Sequence, residues 1–296
     1  MTPFGDGVER MRSRPDGLCR SEGLPYIGSM PERSSATVVG IGARLERTWA
    51  LLKILTPREF RVRYRESVLD LAWAIITPLV YLVVYGVILT QAFGATGSCA
   101  PYLSSAWTGL VVWTFFSTAL AMATSSLIMA APLTSKIYFP REAIPLADVG
   151  VNGLDFFIAF FTIFIVAGIQ GIAPTPTVLG ALPVLLLVVV WTAALSVLAG
   201  ALAVFIRDLT QAVQLVLRAG FFATPVMYEA SFLGSLEWLA VINPIAVGID
   251  GLRRTLLCGQ WPDWSLTAIH LSIGSALLVA SLFYVRKVEQ RFADVL

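Results

Sequence analysis

The chain has 296 residues, 57% of them hydrophobic and 14% charged, with a net charge of +2. A mean hydropathy of +0.77 is far above the soluble average and places much of the chain in lipid. The arginines fall in short blocks and do not line one helix, which excludes a reader of nucleic-acid grooves, and none of the three lysines follows a glycine, so no Gly-x-x-x-x-Gly-Lys loop cradles a nucleotide.

A single histidine, with no Cys-x-x-Cys or His-x-x-x-His spacing, excludes the usual zinc sites, so no metal ligands are predicted. Residues 1–36 are rich in Pro, Gly, Ser and Arg and lack apolar periodicity. They are predicted to be a disordered cytoplasmic tail, with no apolar run after Met1 to act as a signal peptide. Residues 37–68 are read as an interface helix and a basic connector. Ile41, Leu45, Trp49, Leu52 and Leu55 share one face, as in a helix lying in the membrane plane, and Pro57 is predicted to end it. Arg58, Arg61, Arg63 and Arg65 then precede the first apolar span, which sets the N-terminus in the cytoplasm.

Residues 69–296 are predicted to form an all-α membrane domain of six spans, at residues 69–93, 107–131, 144–170, 177–206, 211–228 and 266–285. Each is close to or above the roughly 20 residues that cross hydrocarbon. The loops at 94–106 and 171–176 carry no Lys or Arg, whereas Lys136, Arg141, Arg207, Arg286, Lys287 and Arg291 fall on the other side. That asymmetry predicts a multi-pass protein of six helices with both termini cytoplasmic.

Two loops stand out. The inner loop at 132–143 is short and charged, with Lys136, Arg141 and Glu142 beside Tyr138 and Phe139, and suits docking to a soluble partner. The outer segment at 231–265 is apolar but too short and broken to cross: Asn243-Pro244 interrupts it, and Asp250, Arg253 and Arg254 follow. It is predicted to be two short re-entrant helices, a place for a gate.

Within the spans, Asp148, Asn152 and Asp155 stack on one helix face, and a carboxylate in hydrocarbon requires a partner; Arg218 is the candidate for Asp155, a structural pair being favoured over a proton relay. His270 reads as a packing residue, since no paired acid accompanies it. Trp107, Trp113, Trp261 and Trp264 read as packing or interface anchors. Arg253 and Arg254 either meet a carrier diphosphate or pair with Asp250 or Glu237. Cys99 and Cys258 both fall on the predicted outer side, where a disulfide persists if it forms.

Four stretches carry a resemblance to a known family. They are Arg63-Tyr64-Arg-Glu-Ser67 leading to Leu69, Trp73 and Pro78; Thr108 to Ser117 with Lys136 to Pro145; Arg207-Asp208 followed by Thr224-Pro-Val-Met-Tyr228; and Asn243-Pro244 followed by Gly251-Leu-Arg253. In order and spacing they resemble the membrane subunits of type-2 ABC exporters, in the branch that moves O-antigen, teichoic acid and mycobacterial galactan precursors. Asp70 departs from the pattern, which usually has glycine there.

The resemblance implies a homodimer with a shared pore and two copies of a separate ATP-binding subunit, which would hold the ATP and magnesium; this chain would carry no cofactor and no catalytic residue. It implies that Lys136, Ile137, Tyr138, Phe139, Pro140, Arg141 and Glu142 form the coupling helix against that ATPase. It places Trp73, Tyr81 and Tyr85, with Phe221, Phe222 and Tyr228, along the path of a lipid-linked polysaccharide, and Asn243, Pro244, Asp250, Arg253 and Arg254 at the outer gate. Aromatic faces suit the C–H faces of sugar rings. Export of a drug or small lipid is the alternative on the same fold; the compact loop at 132–143 and the lack of a large outer domain favour polysaccharide. A secondary transporter would need repeats, and none is found.

Overall fold

The computed structural model describes residues 41–65, 76, 80, 84, 99–130, 140–206 and 208–295. Among them every regular element is helical. The helices are α1 (Ile41–Arg65), α2 (Tyr102–Met129), α3 (Ala143–Ile169), α4 (Ala181–Phe205), α5 (Leu209–Ala223), α6 (Trp238–Ile242), α7 (Pro244–Leu256) and α8 (Trp264–Val295), with 3-10 turns at Pro176–Gly180 and Ala230–Leu236. Residues 76, 80 and 84 are also helical. The predicted tail at 1–36 and most of the predicted first span lie outside the described residues.

Four helices among the described residues are long and apolar enough to cross a membrane: Tyr102–Met129, Ala143–Ile169, Pro176–Phe205 and Trp264–Glu289. They match the predicted second, third, fourth and sixth spans to within a turn or two. The predicted fifth span, 211–228, is shorter than expected. Helix α5 has 15 residues, which at about 1.5 Å per residue is roughly 22 Å, less than the hydrocarbon core. Pro225 explains the stop, because it drives the preceding Thr224 out of the helical region, to φ −92° and ψ 133°.

Proline does not act this way in α1. The helix was predicted to end at Pro57, yet it runs through to Arg65. The missing amide costs one backbone bond, and Arg61 Nε donates to the Pro57 carbonyl at 3.2 Å. The face turned toward α3 also differs from the predicted apolar stripe. Thr48 is buried while Trp49 is 60% exposed, with Lys53 over its ring at 5.4 Å. Thr56 fits against Gly150 of α3, where a Cβ would lie 2.9 Å from its Oγ1.

Helices α2, α3, α4 and α8 make the bundle. α4 packs extensively on α8 and on α2, α2 packs extensively on α3, and α7 lies against α4 and α2. Small residues let these axes approach. A Cβ on Gly200 of α4 would sit 2.7 Å from the Ala123 carbonyl of α2, and one on Gly248 of α7 would sit 2.5 Å from Val188 of α4. The outward faces are apolar: Phe157, Phe161, Ile165 and Ile169 of α3 recur every four residues and are exposed, a stripe suited to lipid.

The buried apolar residues form two clusters. The larger surrounds Trp107, Leu110, Val112, Phe115, Leu187 and Ile249. The smaller joins Leu127, Val197, Val204 and Val285 at the opposite end of the bundle, with Ile144 packed on it. The first end carries Cys99 and Cys258 and is called the disulfide end below; the second carries Glu142.

Candidate translocation and coupling sites

At the disulfide end, Cys99 and Cys258 are bonded, with Cα atoms 5.5 Å apart. The bond ties the approach to α2 to the end of α7. Other contacts converge there. Ser104 donates to Gln170 at the end of α3, Trp107 Nε1 donates to Thr162 at 2.8 Å, and Thr177 Oγ1 donates to the Thr255 carbonyl at 2.9 Å.

The predicted break at Asn243-Pro244 separates α6 from α7. Asn243 caps α7, its Oδ1 accepting from the amides of Ile245 at 3.0 Å and Ala246 at 3.3 Å, and Pro244 occupies the first helical position, where its missing amide is not needed. Asn243 Nδ2 also donates to Thr224 Oγ1 at 2.8 Å, so one side chain starts α7 and holds the end of α5. Asn243→Ala is expected to lower stability by about 1 kcal/mol for the cap, with a further loss for the Thr224 contact. Asn243→Asp, which keeps the acceptor, is expected to lose less; thermal midpoints of the purified proteins compare the two.

Arg253 is the most constrained polar side chain at this end. It is 7% exposed and donates to four backbone carbonyls: Nε to Ser105 at 3.0 Å, Nη1 to Pro225 and Tyr228 at 3.0 Å each, and Nη2 to Val226 at 2.5 Å. Burial lowers its pKa to about 10 while Asp250 and Glu229 pull it upward, so it remains a cation at neutral pH. Gly109 of α2 makes room for this knot, because a Cβ there would overlap the Val226 carbonyl and lie 2.8 Å from Arg253 Nη2.

Arg254 is different. It pairs with Asp250 one turn earlier at 2.6 Å, and the two side chains are 45% and 55% exposed. The two arginines therefore differ: Arg254 pairs with Asp250, while Arg253 spends its donors on backbone carbonyls. Beside them is a cavity of about 360 Å³, lined by Glu229, Glu237, Asp250, Arg253, Arg254 and Asp263 among others.

His270, near the start of α8, is buried, with Nε2 2.9 Å from the Val241 carbonyl. Its own carbonyl accepts from Trp191 Nε1 at 2.8 Å. Both contacts fit a packing residue. Trp107 and Trp113 are buried in the core, whereas Trp261 and Trp264 are exposed neighbours 6.0 Å apart.

Of the residues placed on the translocation path, Trp73, Tyr81 and Tyr85 lie outside the described residues. Phe221 packs on Trp113 with ring centroids 6.0 Å apart, Phe222 is exposed, and Tyr228 donates to the Phe222 carbonyl at 2.6 Å. Helix α5 has one buried residue, Leu217; the rest of it is partly or fully open, with Gln211, Gln214 and Arg218 exposed. Asp155 on α3 is half-buried. Among the described residues, Arg218 is exposed and no ion pair joining it to Asp155 is seen, Glu142–Arg286 and Asp250–Arg254 being pairs that are, and α5 packs mainly on α2 and α4. Asn152 instead turns back on its own helix, donating to the Asp148 carbonyl at 2.7 Å.

At the other end, Lys136, Ile137, Tyr138 and Phe139 lie outside the described residues. Pro140 is buried and Arg141 half-buried. Glu142 is 1% exposed and faces Arg286 of α8, 3.8 Å away. It was grouped with the segment expected to meet an ATPase; within this chain its carboxylate is turned inward, where the start of α3 packs onto α2, α4 and α8.

Long apolar helices with lipid-suited outer faces define a multi-pass membrane protein. Residues 50–257, more than half of the chain, match the ABC-2 type transporter family, and the chain belongs to that family. It is 27% identical over 248 residues to an O-antigen export system permease protein RfbA of Klebsiella pneumoniae, covering 83% of this chain and 95% of the relative. It is 26% identical over 247 residues to a protein of the same name from Myxococcus xanthus, covering 82% of this chain and 94% of the relative.

Proposed function

We propose that the chain is the permease subunit of an ATP-driven exporter of lipid-linked polysaccharide of the O-antigen type. The observation that carries this reading is the similarity to O-antigen export permeases over 83% of this chain and 95% of the relative, and the family match at residues 50–257 takes in both the loop near Glu142 and the α6–α7 segment. Two copies would form the pore, each with six spans: the four long helices, α5 and the span predicted at 69–93. Helix α5, short and largely unburied in one chain, suits the pore wall or the contact with the second copy. Two ATP-binding subunits would supply the nucleotide chemistry, and this chain would carry the force.

Chemistry supports an orientation. A disulfide persists on the oxidising side of the membrane, so the Cys99–Cys258 end would face outward and the Glu142 end the cytoplasm, in keeping with the cytoplasmic termini that the charge asymmetry predicts. The loop at 132–143 would meet the ATPase with Lys136, Ile137, Tyr138, Phe139 and Arg141, and α6 and α7 would flank the exit. Phe222 and Tyr228, with Trp73, Tyr81 and Tyr85, would offer ring faces to sugars.

Depletion of the protein in its native cell, followed by analysis of lipid-linked glycans on each side of the inner membrane, tests the reading. A finished polymer accumulating on the cytoplasmic side is the expected result. Unchanged glycan pools with altered tolerance to small toxic compounds would replace it with export of a drug or small lipid.

A further inference from the structure

The second apolar cluster belongs to the residues that follow the loop at 132–143. Ile144 and Leu146 at the start of α3 pack on the cluster of Leu127, Val204, Val285 and Val288, and Glu142, just before them, lies 3.8 Å from Arg286 of α8. A carboxylate with 1% exposure is costly without a counter-charge, and removing one partner of such a pair is far more damaging than removing both. The pair brings the end of the loop and α8 within ion-pair distance, although Arg286 Nε donates no hydrogen bond there. Arg286 also lies over the Phe283 ring, 5.5 Å from its centroid, so its position on α8 is itself constrained.

Helix α8 then runs to the disulfide end as a continuous rod. Its contact with α4 is extensive and close, since a Cβ on Gly274 would lie 2.7 Å from Trp191 Nε1. Sixteen residues before Arg286, His270 meets the Val241 carbonyl at the end of α6, just before the Asn243-Pro244 break. The separation along the helix is about 24 Å at its standard rise.

We propose that Glu142 and Arg286 form a mechanical joint, and that through it α8 carries displacement of the 132–143 loop to the α6–α7 segment at the opposite end. Arg286 is thus a positioning residue: it touches neither ATP nor glycan and acts by keeping loop and rod together through the cycle. The inference rests on the reading of that loop as the ATPase contact, and the experiment separates the two.

Chromosomal replacement in the native cell with Arg286→Gln, Arg286→Lys and the exchange Glu142→Arg with Arg286→Glu provides the test. Four quantities are read: permease abundance in the membrane, co-purification of an ATP-binding subunit, ATP hydrolysis by the purified complex, and exported glycan. Arg286→Gln, which keeps an N–H donor beside the Glu142 carboxylate but no charge, is expected to lower abundance no more than about twofold and to retain co-purification and hydrolysis, with export per ATP falling about tenfold, within the range of measured coupling between sites. Arg286→Lys and the exchange are expected to restore it. Wild-type export by Arg286→Gln overturns the joint, and so does an abundance that falls in step with export in Arg286→Gln, which makes the pair a folding contact only. Failure of an ATP-binding subunit to co-purify with the wild-type chain overturns the underlying reading as well.

Discussion

Replacing Arg253 with methionine is expected to destabilise the protein by about 4 kcal/mol or more, one of the largest effects of any single substitution at the disulfide end. The estimate follows from four charge-assisted hydrogen bonds to backbone carbonyls, each worth about 1.5–3 kcal/mol when the donor is ionised, less what relaxation and water recover. Methionine fills a similar volume and leaves the carbonyls of Ser105, Pro225, Val226 and Tyr228 without these donors. Arg254→Met, one residue away, removes an exposed pair one turn apart on the helix and is expected to change stability by only about 0.3–0.5 kcal/mol. Membrane abundance and thermal midpoint in detergent measure both. Similar losses for the two variants would mean that the carbonyl knot does not hold this end together.

The second large effect is expected for Gly109→Ala. The added Cβ would overlap a backbone oxygen, that of Val226, which cannot swing aside as a flexible side chain does. Overpacking of this kind costs about 1–3 kcal/mol, occasionally more. The same oxygen accepts from Arg253 Nη2, so the two substitutions damage one object. Gly109→Ala combined with Arg253→Met is therefore expected to cost less than the sum of the separate losses, as neighbours in one network do. Strict additivity of the midpoints would show that Gly109 and Arg253 act independently.

These two residues mark where the sequence stops being readable. The spans of α2, α3, α4 and α8 are written in hydropathy, a property of each residue taken with its neighbours, and their limits can be read to within a turn or two. The break at Asn243-Pro244 was equally legible, because a cap and a first-turn proline are local chemistry. Arg253 was singled out, but its role was not foreseeable. Its acceptors are main-chain carbonyls, which look alike in every sequence, and one of them, at Ser105, lies 148 residues away.

The contact of Glu142 with Arg286 was hidden for a related reason. A glutamate in a short charged loop reads as a surface group, and only the path of α8 reveals the arginine that meets it. Pro57 was read by its intrinsic preference, yet α1 continues past it, packed on α3. Asp155 and Arg218 were paired on predicted depth alone. Depth says nothing about which side of a bundle a helix occupies, and α3 and α5 have different main neighbours.

The bond between Cys99 and Cys258 makes a covalent ring of everything from the approach to α2 to the end of α7. A single protease cut anywhere inside that ring opens the chain without releasing either piece. The nicked molecule keeps its full mass until a reductant is added, and only then falls into two fragments. Chain integrity and molecular integrity are therefore separate properties in this protein, and a gel run without reductant reports only the second.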